Sequence, residues 1–378
     1  MNSFRPTWAE IDLGAIAHNI RELRQLINPS TKFMAVLKAN AYGHGILEVA
    51  GVCVHEKVDY LGVALLDEAM YLLENGIKLP VLILGFTEES DLGLVIKHGF
   101  RQTVFDFSTA EALSNLAVEE GRKAFVHIKV DTGMSRTGFM VGPEAVETVS
   151  DICKLPGLIV EGIFTHLATA DNVDRNFTEL QLQRFNDFLG ILKEKGVKIP
   201  IRHVANSAGI TYHPEAHFDL VRAGINIYGL RSSLEYSDNL NLIPAMRLKS
   251  RVVMVKEVPD LSPVSYGCSY ITSHPTRIAT IPIGYGDGYT RAYSNRAWAT
   301  INGQQMQLIG RVCMDHCMFD ATEVENIKVG DEVILFGRPE DGITADHLAE
   351  LIGTINYEVV CLLNSRVHRT YVNNVNDL

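Results

Sequence analysis

A lysine follows an early apolar run and is the first candidate for covalent chemistry. Residues Phe33–Leu37 read as a buried strand, and Lys38 comes directly after them, before the segment ANAYGHG at residues 39–45. A lysine in a desolvated site loses part of its affinity for the proton, and its free amine can then form an imine with a carbonyl group. The alternative is a lysine at a strand end that extends into solvent, and from position alone this alternative is the simpler one.

Other basic and polar side chains follow later apolar runs. Lys129 lies inside the run Ala124–Val130, and the segment DTGMSR at residues 131–136 comes next. In a barrel of parallel strands, functional side chains gather at the carboxyl ends of the strands. The side chains that stand at or just after such ends are Lys38, Arg136, His166, Ser207 and Arg222.

Two short loops of small residues indicate a phosphate site. They are NSAG at residues 206–209 and AGI at residues 223–225, after the seventh and eighth apolar runs. Loops at these places in a barrel commonly bind phosphate through backbone N–H groups. Together with the basic side chains, they indicate an anionic, phosphate-bearing cofactor that forms an imine, which is pyridoxal 5'-phosphate.

Eight apolar runs, with helical stretches between them, must position these residues. Most of the runs are rich in Val, Ile and Phe, and turn or helix signals bound each of them. We predict an α/β fold that begins with an N-terminal (β/α)8 TIM-like barrel, with an open doubly wound sheet as the alternative. The predicted strands are Phe33–Leu37, Tyr60–Ala64, Val81–Leu84, Thr103–Phe105, Ala124–Val130, Ile159–Phe164, Arg202–Ala205 and Phe218–Val221.

The pattern changes after about Glu235, where short strands are separated by Gly, Pro and Asn turns. Asn302-Gly303 suits a two-residue hairpin turn, and only Thr344–Ile352 reads as a helix, with Thr344 as its N-cap. We therefore predict a cofactor-binding barrel domain over residues 1–236 and a C-terminal, mainly β-strand domain over residues 237–378. The strands predicted there are Leu248–Val255, Arg277–Ile283, Trp298–Ile301, Gln305–Ile309 and Glu332–Phe336.

Several stretches resemble those of bacterial alanine racemases, and the resemblance extends from about Arg5 to Arg366. They are AVLKANAYGHG at 35–45, TGMSR at 132–136, VSYG at 264–267, GYGDG at 284–288 and GRVCMD at 310–315. The resemblance implies a fold-type III enzyme that uses pyridoxal 5'-phosphate to interconvert L- and D-alanine. It also implies that the D-alanine is used in peptidoglycan synthesis.

By this resemblance, Lys38 and Tyr266 are two bases on opposite faces of the substrate. Lys38 binds the cofactor and then serves one face, while Tyr266 serves the other. His166 is the implied relay partner of Tyr266, and Arg222 faces the pyridine nitrogen, which stays unprotonated because arginine scarcely releases its proton. From the residues alone, Tyr266 would be a packed aromatic of the β domain and Arg222 a salt-bridged arginine.

The resemblance also assigns binding roles. Arg136 meets the phenolic oxygen of the cofactor and the substrate carboxylate, Met314 offers that carboxylate a backbone N–H, and Tyr285 and Tyr357 narrow the entry. Tyr266 and Met314 come from the partner subunit, so a head-to-tail homodimer with shared active sites is implied. The implied phosphate-binding set is Tyr42, Ser207, Gly224, Ile225 and Tyr357.

Lys129 is a further expectation. A buried lysine beside Arg136 would place two like charges together, which is unfavourable. In some members of the family the corresponding lysine is carbamylated, and we expect the same N6-carboxylysine here. The sequence departs from the family pattern at PDLSP (residues 259–263) and at Cys268, which leaves the geometry of the loop before and after Tyr266 open.

Composition excludes several classes of function. The formal net charge of −11, without a run of Lys or Arg, argues against a nucleic-acid partner. Apolar runs such as Leu79–Leu84 are too short to span a membrane, and six scattered cysteines suit a reducing cytoplasm. Cys313 and Cys317 lack the second pair that a structural zinc site needs, so we expect no metal.

Four other interpretations remain open at this point. A non-catalytic pyridoxal-phosphate carrier would lack the second domain, and a racemase for serine or larger amino acids would need a wider pocket. A fold-related decarboxylase would need a carboxylate at the position of Arg222. A Schiff-base aldolase without cofactor would have no use for the phosphate loops.

Overall fold

The chain folds into two units, each built around its own sheet. The structure, a computed structural model, describes residues 5–233, 235–236 and 240–373. Of these described residues, those within 17–41 and 46–242 form the barrel unit, and those within 5–16, 42–45 and 243–373 form the β unit. The predicted domain boundary between residues 236 and 237 lies at the edge of the described residues and stays a prediction.

Strands of both units are short, and most are bounded by turns. In the described residues they are β1 Thr7–Asp12, β2 Lys32–Val36, β3 Tyr60–Val63, β4 Val81–Ile83, β5 Arg101–Val104, β6 Ala124–Asp131, β7 Phe139–Met140, β8 Leu158–Phe164, β9 Ile201–His203, β10 Leu220–Ala223, β11 Met246–Arg251, β12 Met254–Val258, β13 Pro263–Val264, β14 Tyr270–Ile271, β15 Thr276–Ile281, β16 Trp298–Ile301, β17 Gln304–Leu308, β18 Cys317–Asp320, β19 Glu332–Phe336 and β20 His368–Val372.

Amphipathic helices connect the barrel strands. The longest, Asn176–Glu194, buries Leu182, Phe185 and Phe188 on one stripe and is followed by Gly196 at φ +79°. None of the helices in the described residues is long and apolar enough to cross a membrane. The right-handed α-helices are α1 Leu13–Arg24, α2 Ile46–His55, α3 Leu66–Glu74, α4 Leu92–His98, α5 Phe107–Glu119, α6 Pro143–Ile152, α7 Asn176–Glu194, α8 Ser207–Tyr212, α9 Ala345–Ile352 and α10 Asn356–Cys361.

Eight parallel strands form the sheet of the barrel unit. They follow one another in the order β2, β3, β4, β5, β6, β8, β9, while β10 pairs with β2 from the other side. Between β9 and β10, the N–H groups of Asp219 and Arg222 donate to the carbonyls of Arg202 and Ala205, both at 3.0 Å. The sheet is therefore a nearly closed barrel, which confirms the predicted fold class and excludes the open doubly wound sheet.

The barrel interior combines an apolar cluster with a layer of buried polar side chains. Met34, Tyr60, Leu82, Ile201 and Leu220 pack together as the apolar cluster. Burying a charged or polar group is costly unless that group finds partners, so the polar layer requires an explanation. Its members include His127, Lys129, His203 and Arg222.

The β unit is built on a nine-stranded sheet in the order β12, β15, β18, β17, β16, β19, β11, β1, β20. Strand β1 pairs antiparallel with β11 and parallel with β20, so the start of the chain contributes to the sheet of the C-terminal residues. The mainly β prediction is confirmed. The predicted strand Leu248–Val255 is wrong in detail, because β11 ends at Arg251 and β12 begins at Met254.

Two local predictions in the β unit are confirmed. Asn302 and Gly303 have φ values of +49° and +78°, as a two-residue hairpin turn between β16 and β17 requires. The helix α9 begins after Thr344, whose Oγ1 accepts a hydrogen bond from the N–H of His347 at 3.2 Å.

The segment after Lys38 is a left-handed turn. Ala39, Asn40 and Ala41 have φ values of +54°, +55° and +53°, and Tyr42 follows at +51°. This conformation costs a residue with a Cβ roughly 1–2 kcal/mol, because Cβ approaches the following carbonyl oxygen. Neighbouring groups must therefore stabilise a conformation that the local sequence alone would not favour.

Glu68 in the first turn of α3 contributes to that stabilisation. Its Oε1 accepts from the N–H of Ala39 at 2.6 Å, and its Oε2 accepts from the N–H groups of Ala64 at 2.8 Å and Leu65 at 3.3 Å. Asn40 adds a second fixed point, because its Oδ1 accepts from the N–H of Ile46 at 2.9 Å. The Glu68 carboxylate thus accepts hydrogen bonds from the backbone after β2 and from the backbone after β3, which are neighbouring strands of the barrel.

Replacing Glu68 with alanine is expected to lower the free energy of unfolding by about 2 kcal/mol, because backbone donors lose a charged acceptor. Urea unfolding of the full chain, monitored by circular dichroism, measures this change. Glu74 is exposed at the end of the same helix, and Glu74→Ala should change the free energy by less than about 0.5 kcal/mol. Equal losses in the two variants would contradict the role of Glu68.

Candidate active site

Basic side chains gather at the carboxyl end of the barrel strands. Lys38 stands half-buried at the end of β2, where the sequence predicts it. Burial holds the pKa of His166 well below its usual value, and the charges of Arg222, Lys129, Arg136 and Lys38 lower it further. The ends of several strands therefore share one positively charged region, as the strand-end argument predicts.

Arg222 on β10 lies at the centre of this region and is almost completely buried. Its Nη2 donates to the carbonyls of Thr165 and Val204, each at 2.9 Å, and its Nη1 donates to Nδ1 of His203 at 3.0 Å. Burial and the nearby charge of Arg136 lower the pKa of Arg222 to about 9. In the part of the chain that the structure describes, no carboxylate forms an ion pair with it, so it is not a salt-bridged arginine.

His166 follows β8 and is fixed in one neutral form. Its Nδ1 accepts from Nη2 of Arg222 at 3.2 Å. A neutral imidazole that accepts at Nδ1 carries its proton at Nε2, and the low pKa excludes the charged form near neutral pH. His166 therefore presents an N–H donor on the side of its ring that faces away from Arg222.

Lys129 on β6 is buried in the barrel interior. Its Nζ lies 5.1 Å from the ring centroid of Phe164. Burial, with the charges of Arg222 and Arg136, lowers the pKa of the amine to about 7, while Asp131 acts in the opposite direction. A large part of this amine is therefore uncharged and nucleophilic near neutral pH.

The two loops that the sequence predicts as a phosphate site are joined. The backbone N–H of Gly224 donates to Oγ of Ser207 at 2.9 Å. Asn206 shapes the first loop, because its Oδ1 accepts from the N–H of Gly209 at 2.9 Å. Ile225 is buried and opens a 3-10 turn that ends at Tyr228.

Two other tyrosines of the predicted phosphate-binding set come together in the β unit. The ring centroids of Tyr42 and Tyr357 lie 6.1 Å apart at an interplanar angle of 55°. Gly43 beside them has φ +81°, and a Cβ there would lie 2.4 Å from the carbonyl oxygen of Val360. Only glycine fits this position, so the contact of this segment with α10 depends on it.

Tyr266, Tyr285 and Met314 are unusually exposed for large side chains, at 68%, 43% and 53%. The loops of Tyr285 and Met314 pair, because Gly286 donates its N–H to the carbonyl of Met314 at 2.9 Å and Tyr285 donates to that of Cys313 at 3.0 Å. Lys38 and Tyr266 belong to different units of the chain. The predicted site residues therefore form one group in the barrel unit and another in the β unit.

Thr272 fixes the segment in which this sequence departs from the family pattern. Its Oγ1 donates to the carbonyl of Pro259 and accepts from the N–H of Ser262, both at 2.9 Å. Tyr266 begins a short 3-10 turn, and Oγ of the preceding Ser265 donates to the carbonyl of Arg311 at 2.7 Å. The loop geometry that the sequence leaves open is thus set by side-chain bonds to the backbone.

Sequence reasoning missed three polar residues of the barrel interior, Glu161, His127 and His203. They occur within predicted strands, and His127 alternates with Lys129 so that both lie on one face of β6. Nδ1 of His203 accepts from Nη1 of Arg222, and its Nε2 shares a hydrogen bond with Nδ1 of His127. The sequence signal that could have indicated them is the occurrence of polar residues at alternate positions of an otherwise apolar strand.

Comparisons with known proteins agree along nearly the whole chain. The family model of the alanine racemase N-terminal domain matches residues 11–232, and that of the alanine racemase C-terminal domain matches residues 245–371. The alanine racemase of Methanococcus maripaludis is 44% identical over 97% of this chain and 99% of its own. That of Desulfovibrio desulfuricans is 47% identical over 97% of this chain and 98% of its own.

Solved structures give the same result. The alanine racemase of Clostridium difficile 630 superimposes with a TM-score of 0.94 at 42% identity and covers 99% of this chain and 97% of its own. The alanine racemase of Bacillus anthracis with bound L-Ala-P has a TM-score of 0.92 at 34% identity, with 99% and 97% covered. Since both domains match over nearly the whole length, this chain belongs to the alanine racemase family and is an isomerase of the racemase class.

Proposed function

We propose that this chain interconverts L- and D-alanine with pyridoxal 5'-phosphate as its cofactor. The observation that carries the proposal is Arg222, a buried cation that bonds only carbonyls and ring nitrogens among the described residues. Such a charge, among Lys38, Lys129 and Arg136, suits an anionic group, and the amine of Lys38 suits a carbonyl. The donor set therefore fits the cofactor.

When bound, pyridoxal phosphate accepts the electron pair that remains when the α-proton leaves the substrate. Arg222 would face its pyridine nitrogen and leave that nitrogen unprotonated, since a guanidinium scarcely releases a proton. A decarboxylase of this fold would need a carboxylate at this position. The weaker electron withdrawal favours proton exchange over side reactions such as transamination.

Lys38 and Tyr266 would be the two bases. The Lys38 amine fixes the cofactor and then takes or returns the α-proton on one face of the substrate, and the Tyr266 phenol acts on the other face. His166, with its proton at Nε2, can donate a hydrogen bond to a phenolate oxygen and thereby favour the ionised form of a tyrosine. This would be its relay role.

Tyr266 would act on the site of a second copy of the chain. Its exposure of 68%, with those of Met314 and Tyr285, leaves three large side chains uncovered in a single chain. A homodimer with shared sites would cover them and bring Tyr266 to the partner's Lys38. Met314 would then offer its N–H to the substrate carboxylate, and Tyr285 would narrow the entry.

The remaining contacts to the cofactor and substrate follow from the same proposal. Arg136 would meet the phenolic oxygen of the cofactor and the substrate carboxylate. The phosphate would be bound by Tyr42, Ser207, Gly224, Ile225 and Tyr357. Of these groups, the N–H of Gly224 already donates to Ser207, so Ser207 would fix the loop and offer its hydroxyl proton to the phosphate.

Lys129 would be carbamylated. The electron pair of the neutral amine forms a new N–C bond to the carbon of CO2, and the electron pair of one C–O π bond moves to oxygen. The amine proton passes to water, which leaves a carbamate anion. The pKa of about 7 makes the neutral amine available, and Arg136 would pair with the new negative charge. The modification removes the repulsion between two cations.

D-alanine would supply peptidoglycan synthesis. The six cysteines are scattered along the chain, which suits a reducing cytoplasm.

Purified chain with pyridoxal phosphate is expected to abolish the circular dichroism of L-alanine with time. Lys38→Ala should slow this loss by at least about a thousandfold, because the cofactor is no longer fixed and one base is gone. Lys78→Ala, at an exposed lysine, is the matched control and should keep wild-type activity. Persistent optical activity with wild-type chain and bound cofactor would refute the racemase assignment for alanine.

Mixing two inactive variants tests whether active sites are shared. In a dimer of one Lys38→Ala chain and one Tyr266→Phe chain, one site regains both bases if they come from different chains. Equal mixing after subunit exchange should then restore about a quarter of wild-type activity, since half of the dimers are mixed and each has one intact site. No recovery, with exchange verified by native mass spectrometry, would contradict the shared site.

The chain incubated with 13C-bicarbonate should show a carbamate signal in its carbon NMR spectrum. This signal should be absent from Lys129→Ala and retained in Lys123→Ala, because Lys123 is exposed immediately before β6. A well-resolved electron density map with an unmodified Lys129 would count against the carbamate.

A further inference from the structure

A chain of hydrogen bonds leads from Arg222 through the barrel interior to a carboxylate. Nη1 of Arg222 bonds Nδ1 of His203 at 3.0 Å, and Nε2 of His203 bonds Nδ1 of His127 at 2.8 Å. Nε2 of His127 bonds Oε2 of Glu161 at 3.0 Å. The four residues come from β10, β9, β6 and β8, so the chain crosses the barrel from strand to strand.

Only one arrangement of protons satisfies every bond in this chain. A carboxylate accepts, so Nε2 of His127 donates to Glu161 and its Nδ1 accepts from Nε2–H of His203. Nδ1 of His203 is then free to accept from Arg222. Both histidines are completely buried, and burial lowers the pKa of each, so both are neutral. The opposite arrangement would direct an N–H of His203 at an N–H of Arg222.

Glu161 is fixed as the ionised end of the chain. Arg101 donates to both of its oxygens, from Nε at 3.0 Å and from Nη2 at 3.2 Å. Burial opposes ionisation of Glu161, but hydrogen bonds from His127 and Arg101 outweigh it and lower the pKa to about 2. Tyr60 lies close by, and its pKa is raised to about 12 by burial and by Glu161, so it stays protonated.

Phe164 fixes the ring plane of His203. The two rings stack with centroids 4.5 Å apart and an interplanar angle of 10°. The guanidinium of Arg222 lies 5.3 Å from the same phenyl ring. Packing therefore sets the plane of the His203 ring. It does not determine which of the two ring nitrogens carries the proton.

We propose that Glu161 is a positioning residue for Arg222, and that it acts by fixing the tautomers of His127 and His203. The inference rests on the proposed function, in which Arg222 faces the cofactor. Without a carboxylate acceptor, His203 can carry its proton at Nδ1, and Arg222 loses the acceptor of its Nη1. The guanidinium is then oriented only through Nη2, by two carbonyls and His166.

Glu161→Gln tests this with little change in shape. A glutamine amide can turn either its oxygen or its NH2 group towards His127, so both tautomers become possible. Arg101→Gln is the matched control, because it breaks the ion pair with Glu161 but leaves the carboxylate as acceptor for His127. An ion pair that merely stabilises the barrel would make the two variants behave alike.

The first readout is the nitrogen NMR spectrum of the full chain labelled with 15N-histidine, with and without added pyridoxal phosphate. In wild-type and Arg101→Gln chains, His203 and His127 should each be protonated at Nε2 and unprotonated at Nδ1. In Glu161→Gln, signals of the Nδ1-protonated tautomer should appear. Single His203→Gln and His127→Gln chains assign the signals.

The second readout is the kinetics of alanine racemisation. A misplaced Arg222 should lower kcat about tenfold in Glu161→Gln, while KM stays within about twofold, since Glu161 does not contact the substrate. Arg101→Gln should keep kcat within about twofold of wild type.

Each outcome decides the proposal. A wild-type His203 protonated at Nδ1 overturns it without any variant, even if Glu161→Gln does not fold. Unchanged tautomers or an unchanged kcat in Glu161→Gln, or equal effects in Arg101→Gln, overturn it as well. A wild-type chain that does not racemise alanine but shows the expected tautomers would instead refute the proposed function, so the two failures are distinguishable.

Discussion

The site depends on the burial of an arginine that pairs with no carboxylate among the residues that the structure describes. Arg222 can lie in the barrel interior because carbonyls of Thr165 and Val204 and nitrogens of two histidines accept hydrogen bonds from its guanidinium. Those acceptors come from the ends of β8 and β9, so the register of the barrel must be correct before any of them is in place. The cation is thereby kept charged, fixed and available to a ligand.

Much of the barrel side of the site follows from the sequence, because the carboxyl ends of parallel strands meet at one end of a barrel. Lys38 and Arg222 directly follow an apolar run, and His166 comes two residues after one, so each could be assigned to this end from the sequence. Glu161 and His203 could not, because their meaning depends on which strands are neighbours and on the register between them. A polar residue inside a strand gives no sign of its partner on another strand.

The β unit was less predictable for the same reason. Strand β1 lies between β11 and β20, so its two partners come from residues 246–251 and 368–372 near the other end of the sequence. Its alternation of buried and half-buried residues is clear, yet six residues give no indication of so distant a pairing. Local signals, by contrast, predicted the Asn302-Gly303 turn and the Thr344 cap, since each depends on residues within a few positions.

In the left-handed turn after Lys38, residues are exposed to solvent but should accept few substitutions. Ala39 and Asn40 are exposed, and at most such positions any polar residue would serve. Here a β-branched side chain would clash with its own backbone, and inserting one residue would move Lys38 relative to α2. Few residue types suit these positions, and the spacing between strand and helix is set by the turn. Evolution at this surface would therefore be governed by backbone handedness rather than by contact with solvent.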